Sequence, residues 1–86
     1  MVITKKNVAE KMAAYLGHDI TLEQLVDWAE NAMMDGEFEE RAIPEIASVV
    51  SRLGLADVRA FGLTWEDCVQ LLRDLGFSAR VYIEAA

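Results

Sequence analysis

Apolar positions recur at helical spacing in four stretches of this chain, and three of them follow a threonine. Val8, Met12, Tyr15 and Leu16 stand at i, i+4, i+7 and i+8 and predict a helix over about 5–16. Gly17 reads as its left-handed closing residue, with His18 next to the negative helix end. Leu22, Leu25, Val26, Ala29, Ala32 and Met33 fall within a narrow arc and predict a helix over 22–35, ended by Gly36. Glu37 to Ala42 reads as a charged connector. Pro44 suits a first helical position, and Ile46, Ala47, Val50 and Leu53 carry that helix over 44–53 until Gly54. A short helical turn is expected over 55–60. Trp65, Cys68, Val69, Leu72 and Leu75 predict the last helix, over 65–75, stopped by Gly76.

The period then changes to two. Phe77, Ala79, Val81 and Ile83 alternate with Ser78, Arg80, Tyr82 and Glu84, the pattern of a strand over about 78–83. Such a strand needs a partner for its backbone, either the β-like stretch Met1–Ile3 or a second copy across a dimer axis. The expected fold is mainly α: one domain spanning 1–86, a bundle of four to five short helices with a short C-terminal β-strand.

Each predicted start has the same chemistry. Ile3-Thr4, Ile20-Thr21 and Leu63-Thr64 place an apolar residue before a threonine able to accept from an orphan first-turn amide. The apolar residue has its staple partner five positions on, at Val8, Leu25 and Cys68. Gln24 completes a capping box with Thr21.

Charge is more informative in this chain than overall composition. The net charge is −7, yet the segment from Asp19 to Glu45 alone holds nine acids and one base, Arg41. The excess negative charge sits in the central third, a field that repels phosphates and attracts basic surfaces. Length and the single cysteine fit one reduced, cytoplasmic domain, and Met1–Lys6 does not read as a secretory signal.

Candidate chemistry narrows the function by exclusion. One His and one Cys cannot fill a zinc site. Asp35-Gly36 lacks the alternating oxygen ligands of a calcium loop, since Ala32, Met33 and Met34 precede it. Cys68 lies on an apolar stripe, and His18 has no evident nucleophile partner. The glycines are scattered and form no phosphate loop. No catalytic, cofactor-binding or metal-ligating residue is expected, and the chain reads as a non-enzyme. Ala13, Gly17 and Val26 have helix-turn-helix spacing across residues 8–30, which makes a DNA-binding regulator an alternative. Its recognition helix would carry Glu23, Asp27 and Glu30 without a Lys or Arg, against the main term in DNA affinity.

The run Leu25-Val26-Asp27-Trp28-Ala29-Glu30, with Ala56-Asp57-Val58, Leu63-Thr64-Trp65-Glu66-Asp67 and Leu75-Gly76-Phe77, resembles a group of short uncharacterised bacterial proteins. That group implies no established activity, but many small acidic proteins of its kind are suspected antitoxins or immunity proteins, and an antitoxin- or immunity-like role is the expectation. The nuclease-colicin immunity proteins are similar in physical type, though their Tyr-Tyr-Pro segment is missing here. The reading that results is a protein-interaction module meeting a basic partner protein. Glu23, Asp27, Glu30, Glu37, Glu39 and Glu40 form its acidic face, and Trp28, Met34 and Phe38 are its apolar anchors. A homodimeric module built on the C-terminal strand or on Trp65 is a second alternative, and no membrane partner is expected.

Overall fold

The computed structural model describes residues 2–58, 62–81, 83 and 85. Four helices dominate: α1 (Lys5–Leu16), α2 (Leu22–Asp35), α3 (Ile43–Gly54) and α4 (Trp65–Asp74). The molecule is thus mainly helical, in the bundle architecture that the periodicity predicts. Each threonine cap is present, and all three are full capping boxes. The amide of Gln24 donates to Thr21 Oγ1 at 3.1 Å while the amide of Thr21 donates to Gln24 Oε1 at 2.8 Å. Asn7 and Asp67 play the part of Gln24 at the other two starts, with Thr4 and Thr64. Their shorter side chains reach back equally well, and the rule that names Glu or Gln at this position overlooks them.

The core is the set of faces that the caps orient. Val8 and Met12 of α1, Leu25 and Ala29 of α2, Ile46, Val49, Val50 and Leu53 of α3, and Cys68 and Leu72 of α4 are buried together. The packing of α2 on α3 is the most extensive helix pair. The two run antiparallel, because Ser51 Oγ donates to Met33 Sδ at 3.7 Å while Glu30 Cγ lies beside Gly54.

Three expectations are corrected. The predicted C-terminal strand is absent from the described part of 78–83, where Ser78–Val81 and Ile83 have no regular structure; Tyr82 lies outside the described residues. Its alternation is real, but an apolar face makes a strand only when a neighbour supplies backbone partners. The N-terminal segment does form a strand, β1 (Val2–Ile3), and pairs in parallel with β2 (Glu37–Phe38), inside the stretch read as a connector. Val2 faces Glu37 and Ile3 faces Phe38. The N-terminal stretch reads as β-like in sequence, but the two residues of β2 are too few to show a period, so only the closing of the fold reveals the pairing. A 3₁₀ turn, Glu40–Ala42, completes the connector before Pro44.

Two further corrections are local. The expected helix over 55–60 is a hydrogen-bonded turn at Leu55–Asp57, with residues 59–61 outside the described set. The left-handed residue after α1 is His18, at φ 63°, and Gly17 keeps φ −84°.

Candidate interaction face

Along α2, Glu23, Asp27, Glu30 and Met34 fall in an arc of about 60° at ~100° per residue. All four are exposed. Their arc lies opposite the buried Leu25 and Ala29, because the core claims one side of the helix and the capping box at Thr21 fixes which side that is. At ~1.5 Å per residue the ridge from Glu23 to Met34 is about 16 Å long.

Met34 is the unusual member. It is 78% exposed, although methionine ordinarily fills core gaps. It stands at the end of the ridge nearest the connector, where Glu37 and Glu40 are also exposed. Met33, expected in the apolar arc, is 48% exposed instead. It sits at the rim of the α2–α3 seam, against the Ser51 hydroxyl, and extends the apolar surface beside Met34.

No family model, no curated protein and no solved structure matches this chain. Its geometry therefore carries the functional reading.

The structure brings together part of the predicted face and turns the rest inward. Trp28 is half-buried and packs on the core, with Lys11 Nζ 6.0 Å from its ring centroid. A cation there covers part of the indole face. Phe38 is held against the core by β2. Glu39 is half-buried, and its Oε1 accepts the Lys5 amide at 3.4 Å, adding a distant cap to the start of α1. These three residues serve the fold; Glu23, Asp27, Glu30, Met34, Glu37 and Glu40 remain available. Sequence reasoning missed Met33, because its angle on the wheel matches the core and only the narrowness of the seam leaves it outside.

The ridge carries no ion pair among the described residues. Among the described residues the ion pair within 4.0 Å is Arg52 with Asp67, at 3.3 Å, joining α3 to α4 away from the ridge. Among the described residues none of Glu23, Asp27 and Glu30 has a cation within 4.0 Å, so their fields add over the surface.

The groups with nucleophilic or titrating interest are built into the fold. Burial pushes the Cys68 thiol up, with the Asp67 charge adding to the effect, so the thiol stays protonated and a poor nucleophile. Asp67 is held below the usual aspartate range, first by the Thr64 amide, then by the Thr64 hydroxyl, with Arg52 contributing. Among the described residues no three His, Cys, Asp or Glu side chains gather to hold a metal ion, and no helix is long and apolar enough to cross a membrane.

Proposed function

We propose that this protein is a non-enzymatic interaction module whose α2 ridge docks a basic partner protein, in the manner of an antitoxin or immunity protein. One observation carries the reading: Met34, 78% exposed, ends a ridge of three carboxylates that form no ion pair among the described residues. Exposed like charges raise the encounter rate with a basic surface, and an apolar side chain among them supplies affinity once water is expelled. The reading takes its partner class from charge complementarity and from the resemblance of the sequence to short acidic bacterial proteins.

The test is retention from native lysate on the immobilised protein, run beside two variants. One reverses the ridge (Glu23→Lys, Asp27→Lys, Glu30→Lys), and the other is Met34→Asp. A basic protein retained by the native chain, released by salt and lost with both variants supports the reading. Recovery of no basic protein, or equal recovery by the reversed ridge, overturns it. Heparin retention of the free protein at low salt would favour the DNA-binding alternative in its place.

A further inference from the structure

We infer that Met34 is a modification site: the thioether that hydrogen peroxide oxidises first in the folded chain, its sulfoxide switching off the α2 ridge. The consequence for docking rests on the proposed function; the choice of sulfur stands on the surroundings of the sulfurs alone. Among the described residues Met12, Met33, Met34 and Cys68 carry sulfur. Met12 is 0% exposed in the core, closed to any oxidant until the bundle opens. A cysteine thiolate would ordinarily compete, but Cys68 is buried and its thiol stays protonated. Met33 is half-exposed at the rim of the α2–α3 seam, where its Sδ accepts the Ser51 hydroxyl at 3.7 Å. That bond engages a lone pair the sulfur needs for attack. Met34, 78% exposed, offers its side chain to solvent at the end of the ridge.

The step needs only the peroxide. The sulfur lone pair attacks one peroxide oxygen and the O–O bond breaks. The departing hydroxide takes the proton from the transferred oxygen and leaves as water. Sulfur loses two electrons and the peroxide gains them. Positive character grows on the sulfur as the new bond forms, and the negative field of its ridge, with Glu30 one turn back, favours it. Hydrogen peroxide is uncharged, so the same field does not repel it. The product is polar where the thioether was apolar. In the docking reading Met34 anchors by expelling water, and a sulfoxide keeps its water. Leucine would anchor in the same place without reacting, which makes Met34→Leu the informative variant.

Limited peroxide treatment of the folded chain, followed by tandem mass spectrometry of its peptides, tests the choice of sulfur. Sulfoxide at Met34 is expected to form at least about tenfold faster than at Met12, and ahead of Met33. Oxidation of Met33 or Met12 as fast as Met34 overturns the inference. Capture of a basic protein from native lysate tests the consequence. The oxidised native chain should retain that protein about tenfold less well, with helical circular dichroism unchanged. Met34→Leu should capture it normally before and after peroxide. Equal capture by oxidised and untreated native chain overturns the switch, and so does a Met34→Leu chain that loses capture on oxidation. A native chain that captures no basic protein overturns the docking reading and the switch with it, while the peptide map still decides the modification site.

Discussion

At the scale of single residues, two helix ends show how one backbone problem is met by different side chains. After α4 the amide of Phe77 donates to the Leu72 carbonyl at 2.8 Å and that of Gly76 to Arg73 at 2.9 Å, a Schellman closure with glycine in the left-handed position. After α1 the amides of Asp19 and His18 donate to Ala14 and Tyr15 in the same pattern, with His18 in that position. A side chain there carries a steric cost that glycine avoids. His18→Gly is therefore expected to stabilise the protein by up to about 1 kcal/mol, read from urea unfolding midpoints. Gly36 is constrained for another reason. A Cβ there would lie 2.6 Å from the Ala32 carbonyl oxygen and 2.9 Å from Ile3 Cγ1, where the chain passes between α2 and β1. Gly36→Ala should cost about 1–3 kcal/mol and loosen the β1–β2 pair, which amide exchange at Glu39 would report. Asp67 makes stability pH-dependent with a definite sign. Its carboxyl titrates lower in the folded state, so its contribution is present above the ordinary aspartate range and lost as pH falls below it through the lower folded-state value. Thermal melts of the native chain and Asp67→Asn should differ near neutral pH and converge in strong acid.

At the scale of elements, the boundaries of α1, α2 and α4 were legible because a cap, a staple and an apolar stripe agree at each. Thr21→Ala should cost about 1 kcal/mol by removing the acceptor for the Gln24 amide. The face of α2 away from the core bears a cost of its own. Asp27 has Glu23 four residues before it and Glu30 three residues after, all exposed and of one sign. Such neighbours destabilise a helix by a few tenths of a kcal/mol per pair. Asp27→Asn is expected to raise the unfolding midpoint slightly while weakening capture of the proposed basic partner. That opposition between stability and binding is the signature of a charge kept for contact. Unchanged binding by this variant would remove Asp27 from the face.

At the scale of the whole molecule, a chain of 86 residues holds about 4–13 kcal/mol of stability. Ile46 is fully buried between helices, and Ile46→Ala should cost about 2–5 kcal/mol, a large share of that stability, read as a lowered urea unfolding midpoint. The helical bundle, its caps and the polarity of α2 followed from the residues alone, because those are local matters of spacing and hydrogen bonding within a turn. The division of the candidate face did not. Trp28, Phe38 and Glu39 were equal in sequence to Met34 and Glu40 as surface candidates, and only the approach of β1, α1 and the connector drew them inward. The pairing of β1 with β2 likewise depends on two chain segments, 35 residues apart in register, meeting beside Gly36. Contacts between distant segments are a property of the closed fold, since no local pattern records which surfaces will meet. The sequence alone determined helices, caps and a band of negative charge; tertiary structure decided which of those side chains still face the solvent.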